Sequence, residues 1–441
     1  MKILKFGGTS VGTPERMHSV ASLITADPGP KIVVLSALSG STNALVEIGE
    51  LLLQKNKKDA FNKIEELYHH YTGFNTSLFR QAEFRERGKK VIDSYFSQMK
   101  GMLNVFFNKR LNNELLAMGE LLSTNLFFHY LQERKIEAVL LSALDFMYID
   151  KDKEPDIDYI REHLLPMLDE KKDANLFITQ GYICRNDEGE IENLKRGGSD
   201  YTSTLLGAAL ESEEVQIWTD IDGMHNNDPR VVDKTYPISL LSFNEANELA
   251  YFGAKILHPA SIWPAQKYNI PVRLKNTMNP AAEGTIISEA EENLKVKAVA
   301  AKSGITAIKI RSSRMLLAYG FLRKIFEVFE KYKTPIDMIS TSEVAVSLTI
   351  DDKTYLKEIV KELGPFGEIF VDEDQTIICL AGNMIMNQRD LLPRIFEALQ
   401  GIPVRMISYG GSMYNVSVLI EAKHKKTALQ RLNKYIFELG G

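Results

Sequence analysis

The sequence predicts a doubly wound α/β fold with a mostly parallel sheet, followed by a pair of small α+β modules. Three observations predict it. Short apolar runs at Ile3 to Phe6, Lys31 to Leu35 and Leu176 to Gln180 each lead into glycines or hydroxyl residues, as strands covered on both faces do where they hand the chain to a ligand loop. Amphipathic helical stretches separate these runs. Beyond about residue 290 the pattern changes and the chain repeats itself.

Composition fits that class and excludes others. With 441 residues, 44% hydrophobic and 25% charged, the chain reads as a globular enzyme of two or three domains. A net charge of −5 gives no global attraction for nucleic acid or an anionic membrane, so basic residues must act locally. Cys184 and Cys379 are the only cysteines, too few and too far apart for a disulfide framework or a clustered metal site. That usage suits a reducing compartment, and neither a secretory signal nor a membrane-spanning run is legible, so a cytoplasmic location is expected.

The first strand runs straight into Gly7-Gly8-Thr9-Ser10 with Lys5 at the junction. Adjacent glycines let backbone N–H groups approach a polyanion, and Lys5 adds a full charge, so this stretch reads as a phosphate cradle. An ordinary strand-to-helix turn has the same glycines; later stretches favour the cradle. A helix follows from about Pro14 to Thr25, with proline in its first turn. The second strand delivers Ser36, Ser39, Gly40, Ser41 and Thr42 at its carboxyl end. From about Ala44 to Gln132 the pattern is helical and more charged, an insertion covering one side. Near its end Glu120 stands alone among apolar neighbours, and it either faces solvent or turns inward to a partner.

After the strand ending at Gln180, the run Arg196-Gly197-Gly198-Ser199-Asp200 opens a helix of small residues, a second anion site. Val215 to Asp220 is the next strand. The loop after it is crowded with Asp220, Asp222, Asn226, Asn227, Asp228 and Arg230, and is either a nucleotide edge or a solvated loop. Lys255, near Gly253, is placed to reach a phosphate, and His258 before Pro259 reads as a structural hydrogen-bonder. Pro271 to Lys275 reads as the last strand, leading to Gly284 to Ile287.

The acidic segment Ser288 to Asn293 marks the boundary, giving domains of 1–290 and 291–441. In the second, Leu322 to Phe329 recurs as Leu392 to Leu399, Met338-Ile339-Ser340 as Met406-Ile407-Ser408, and Val346 to Ile350 as Val416 to Ile420. Each module, about 303–373 and 375–441, reads strand, helix, strand, strand, helix, a ferredoxin-like order. The second lacks a last strand, and the spare segment Val296 to Ala300 is expected to complete it.

KFGGTSVG, RGGSDYT, WTDIDGMHNNDPR and FGAKILHP, in that order, closely resemble the aspartokinases of the amino acid kinase fold family, and the modules resemble the ACT domains that follow the kinase domain there. The resemblance implies transfer of the ATP γ-phosphoryl group to the β-carboxylate of L-aspartate with Mg²⁺. It assigns Lys5, Gly7, Gly8 and Asp200 to catalysis, with Asp200 holding Lys5 by ion pairing. It assigns Ser36, Thr42, Glu120, Arg196, Gly197 and Ser199 to aspartate, with Glu120 on the ammonium and Arg196 on a carboxylate. For ATP the matching positions are Lys5, Thr219, Asp220, His225, Arg230 and Lys255. It further implies a homo-oligomer, expected to be a dimer, inhibited by an amino acid at Met315, Gly320, Phe321, Leu322, Asp337, Thr341, Ser342 and Glu343. Lysine is the expected effector and threonine the alternative. Two competing readings are a kinase for a different carboxylate and an inactive amino acid sensor. Neither nucleic acid nor membrane is expected as a partner.

Overall fold

The structure, a computed structural model, describes the chain except residues 195–196, 253–256, 291, 293–294, 313–318, 384 and 439–441. Arg196, Lys255 and Met315 therefore lie outside the described residues.

Strand β1 (Lys2–Phe6) passes through a single helical turn, α1 (Gly8–Val11), into α2 (Pro14–Ala26). The start of α2 is fixed locally: Thr13 Oγ1 accepts from the Arg16 N–H, and Pro14 occupies the first turn, where its missing donor costs nothing. β2 (Lys31–Leu35) is buried at every position, as the apolar run from Ile32 to Leu35 requires. Four helices follow, α3 (Ser41–Leu53), α4 (Lys57–Leu78), α5 (Ala82–Met102) and α6 (Lys109–Glu133). α4 buries Ala60, Ile64, Leu67, Tyr71, Phe74 and Leu78 at helical spacing, in one core with Val33, Leu35 and the buried faces of α5 and α6.

The chain then lays down β3 (Val139–Leu140), α7 (Ile157–Glu170), β4 (Leu176–Gln180), the hairpin β5 (Ile183–Arg185) and β6 (Ile191–Asn193), α8 (Gly198–Leu210) and β7 (Glu214–Thr219). After these come β8 (Leu240–Ser242), α9 (Phe243–Tyr251), α10 (Pro259–Lys267), β9 (Val272–Asn276) and β10 (Thr285–Ser288). One eight-stranded sheet has the order β3-β4-β2-β1-β7-β9-β10-β8. It is parallel from β3 to β9, while β10 runs antiparallel to β9. Pro271 to Lys275 is thus not the last strand: Gly284, at φ +77°, turns the chain, and the β-branched Thr285-Ile286-Ile287 returns beside it. β1 pairs with β2 on one side and β7 on the other, and the chain builds out through β2, β3 and β4 before crossing β1 to lay down β7. The loops after β1, β2, β4 and β7 therefore gather at the carboxyl edge of a topological switch point.

The second compact unit is a six-stranded antiparallel sheet of its own. Its elements are β11 (Lys295–Arg311), α11 (Phe321–Lys331), β12 (Ile339–Thr341), β13 (Ala345–Ile350), α12 (Leu356–Leu363), β14 (Glu368–Asn383), α13 (Leu391–Ala398), β15 (Val404–Ser408), β16 (Asn415–Glu421) and α14 (Lys425–Asn433). The order is β12-β13-β11-β14-β16-β15, so the two repeats share one sheet through the long strands β11 and β14. In β11, Val296 to Ala300 pairs with Gly382 to Cys379, while Ile308 to Arg311 pairs with both β13 and β14. Register slips around Ile305, beside Gly304 at φ +80°, separate the halves. Each repeat has its own core, one around Ile325 and Leu348 and the other around Ile395 and Val418.

Two excursions from the first 290 residues group with this unit, His225–Ile238 and the segment from Asn244 to the end of α9. Val232 is buried in the second repeat's core. Glu248 of α9 accepts hydrogen bonds from Ser412 Oγ at 2.7 Å and from Asn415 Nδ2, and Glu245 pairs with the buried Lys297 at 3.1 Å. Among the described residues no helix is long and apolar enough to cross a membrane.

Candidate active site

Lys5 leaves β1 toward the glycine loop, where its Nζ lies 2.7 Å from Asp200 Oδ1 of α8. Both side chains are largely enclosed, at 12% and 13% exposure, so the pair is weakly screened. The ammonium stands over the loop, 3.3 Å from where a Cβ on Gly7 would sit. The Gly7 N–H, expected to face a phosphate, instead donates to Trp218 O at 3.3 Å across the sheet and is taken up by strand pairing. Ser10 fixes the loop from below, donating to Trp218 O at 3.3 Å and sharing a 2.7 Å hydrogen bond with Thr277.

Beside the loop is a cavity of about 740 Å³. Gly8 and Thr9 line it, together with Ser36 and Thr42 after β2, Gly197 and Ser199 at the start of α8, and Glu120 from α6. Of the residues assigned to aspartate, these all come together, and Arg196 lies outside the described residues. Gly197 is forced by geometry: it caps α8 at φ +79°, and a Cβ there would sit 2.9 Å from His258 Cβ. His258 in turn accepts the Ala260 N–H at the start of α10, the structural role its position before proline suggested.

Glu120 turns inward. The Ala37 N–H reaches its Oε1 at 3.4 Å, whereas Oε2 is buried without a hydrogen-bond partner among the described residues. Burial pushes this carboxyl up to about 8. Its helix is locked in place from both sides. Ser123 Oγ donates to Ser36 O at 2.7 Å, and Gln180 Nε2, at the end of β4, donates to Thr124 Oγ1 at 3.0 Å. The site thus holds a buried carboxyl, kept protonated by desolvation, in a cavity shared with the glycine loop over which the Lys5 ammonium stands.

The cavity also has walls not singled out from sequence: Asn113, Tyr182, Glu192 and Asn193. Asn113 precedes Glu120 by two helical turns on one face, a spacing that could have found it. Tyr182 lies two residues past the carboxyl end of β4. Glu192 and Asn193 sit on a hairpin with no pattern of their own; Glu192 accepts from Asn113 Nδ2 at 2.7 Å and pairs with Lys153 at 3.3 Å.

Thr219 and Asp220 end β7, one strand over from the glycine loop, with Asp220 exposed and accepting from Thr219 Oγ1 at 3.2 Å. His225 and Arg230 belong to the second compact unit, and Lys255 lies outside the described residues. Among the positions expected to read an effector, Gly320 caps α11 at φ +75°, and Phe321 and Leu322 form its first turn. Thr341, Ser342 and Glu343 are exposed around the β12–β13 turn. Asp337 is different: its side chain is 1% exposed, and Lys302 Nζ lies 2.6 Å from its Oδ1. Tyr251 of α9 donates to the same oxygen at 3.0 Å, while Oδ2 has no hydrogen-bond partner among the described residues. Burial holds the Asp337 carboxyl above its ordinary range despite the lysine.

Comparison with known proteins agrees with this geometry. A family model described as the amino acid kinase family matches residues 1–276, and one for an ACT domain matches 378–435. Lysine-sensitive aspartokinase 3 of Escherichia coli K12 is 33% identical over 452 residues, covering 99% of both chains. The crystal structure of E. coli aspartokinase III in complex with aspartate and ADP, an R-state, superposes with a TM-score of 0.86 at 32% identity, covering 99% of this chain and 100% of that one. Its T-state complex with lysine and aspartate gives a TM-score of 0.84, also at 32% identity and covering 99% of each chain. With similarity running the length of the kinase unit and through the ACT repeat, the chain belongs to the aspartokinases of the amino acid kinase family.

Proposed function

We propose that this chain transfers the ATP γ-phosphoryl group to the β-carboxylate of L-aspartate, giving 4-phospho-L-aspartate. The observation that carries the reading is the buried Glu120 oxygen, without a hydrogen-bond partner among the described residues, in a cavity bordered by the glycine loop over which the Lys5 ammonium stands. An amino acid's ammonium satisfies Glu120, and Arg196 takes a carboxylate by a two-pronged contact. Ser36, Thr42 and Ser199 supply neutral hydrogen bonds. The β-carboxylate arrives deprotonated, so no general base is required, and Asp200 serves to orient Lys5. Lys5 and the Gly8 N–H stabilise charge spreading over the transferred group.

Thr219, Asp220, His225, Arg230 and Lys255 serve ATP in this reading. In this reading Mg²⁺ would be held chiefly by the nucleotide phosphates, with the exposed Asp220 carboxylate just past the end of β7 as the protein group to hold it. When bound, Mg²⁺ neutralises phosphate charge. Residues 1–290 act as the catalytic part and 291–441 as the regulatory part of a cytoplasmic homodimer built through the ACT repeats. Exposed Leu322, Phe326, Ile339 and Val344 on one repeat support such an interface, and buried free thiols at Cys184 and Cys379 suit a reducing compartment. An end-product amino acid, lysine first and threonine second, inhibits through Gly320 to Leu322 and Asp337; its ammonium must share Asp337 with Lys302 or displace it.

Incubating the purified chain with MgATP and L-aspartate and trapping the acyl phosphate with hydroxylamine tests the activity. Product with aspartate and not with other carboxylates is expected; no product with any carboxylate would leave an amino acid sensor. Titrating lysine and threonine separately tests the effector, and inhibition by neither at millimolar levels would reduce the ACT repeats to assembly.

A further inference from the structure

The loop His225–Ile238 is held by an amide cluster contributed from far along the chain. Asn226 folds the loop on itself: its N–H donates to Tyr236 O at 3.0 Å, and its Oδ1 accepts from the Tyr236 N–H at 2.8 Å. The side-chain amides of Asn226 and Asn227 then converge on a single atom, Asn433 Oδ1 on α14, at 3.1 and 3.3 Å. Asn433 Nδ2 donates back to Lys234 O at 3.1 Å, so each end of this amide holds a different part of the loop. Asn433 is 2% exposed, and its orientation is set by donors on one side and a carbonyl on the other.

The chain of contacts does not stop at the loop backbone. Asn227 Oδ1 accepts the Asp228 N–H at 2.9 Å. The Asp228 carboxylate accepts Arg230 Nε and Nη2, each at 2.9 Å, and the Arg230 guanidinium holds that carboxyl below its ordinary range. Arg230 is thereby aimed while its side chain stays 85% exposed. Burying amides is costly unless every donor and acceptor is matched, and apolar packing alone would hold α14 without fixing a register. A matched cluster instead specifies one position of the loop.

We propose that Asn433 is a positioning residue for ATP binding, acting through Asn227 and Asp228 on Arg230. This rests on the reading of the loop as a nucleotide contact. Asn433→Leu keeps the volume and removes both functions. It is expected to raise the ATP KM about tenfold, the change commonly decided by one well-made hydrogen bond to a charged group. The aspartate KM, and kcat at saturating ATP, stay near wild type. A merely structural role would lower the melting temperature and the active fraction while leaving the ATP KM unmoved, and that result overturns the proposal. Arg230→Ala is measured alongside. If it raises the ATP KM while Asn433→Leu does not, positioning fails alone; if neither moves it, the nucleotide reading of the loop has failed. Should Asn433→Leu not fold, Asn227→Ala cuts the same connection from the loop side and is judged by the same criterion.

Discussion

Lys5 is held by Asp200 at 2.7 Å in an enclosed setting, so its charge is aimed before substrates arrive. A donor preorganised in this way acts chiefly on the transition state, and removing one typically costs roughly 10²- to 10³-fold in kcat. Lys5→Ala should show that loss at saturating ATP and aspartate; near-normal turnover would remove Lys5 from the mechanism. Glu120 makes a pH prediction. Its carboxyl, lifted by burial from 4.5 to about 8, keeps a proton in the folded chain that the unfolded chain has already released. Its contribution to stability therefore falls as pH rises between those values. For catalysis the sign is opposite, because the substrate ammonium needs the ionised form. kcat/KM for aspartate should climb with pH along a limb near 8, while kcat, which reports the bound complex, lacks that limb. In Glu120→Gln the limb should disappear from kcat/KM; a limb unchanged in the variant would assign it to another group.

At the scale of elements, the ligand edge was legible because its signals are local: a β-branched run, then glycine, then a helix. The turn at Gly197 shows how firmly one such signal is set. Gly197→Ala places a side chain at φ +79° and 2.9 Å from His258 Cβ. The backbone cost alone is ~1–2 kcal/mol. The aspartate KM should rise and a thermal melt should fall by a few degrees; a raised melt with unchanged KM would contradict the tight fit between the start of α8 and α10. Other features had no local signal. That Gly7 gives its N–H to Trp218 depends on β1 pairing with β7, more than two hundred residues away in sequence. β8, three residues long, is too short to carry a period. The inward turn of Glu120 was an open alternative in the sequence, and it was decided by packing of α6 against the ends of β2 and β4. The spare strand Val296 to Ala300 had a signal of another kind, a missing edge, and it lies against Gly382 to Cys379.

At the scale of the whole molecule, sequence order and compact units part company. A single boundary near 290 follows the change of pattern, yet His225–Ile238 and most of α9 are bound into the second unit by Val232, by the Asn226–Asn227–Asn433 cluster, by Glu245 with Lys297, by Glu248 with Ser412 and by Tyr251 with Asp337. Each of those contacts is made with a residue beyond 290. Truncating the chain after Glu289 would therefore strip the partners from both excursions while leaving the cavity around Glu120 and the eight-stranded sheet with all of their own residues. Buried amides left unmatched cost ~1–3 kcal/mol each, so the excursions should loosen. The fragment 1–289 is expected to keep measurable aspartate binding in calorimetry, to bind ATP at least tenfold more weakly than the full chain, and to show rapid amide exchange confined to 225–238 and 244–251; the tenfold figure is an order-of-magnitude expectation of about 1.4 kcal/mol. Full-chain ATP affinity in that fragment would mean that the excursions hold their functional shape without the ACT repeats, and that nucleotide binding is independent of them.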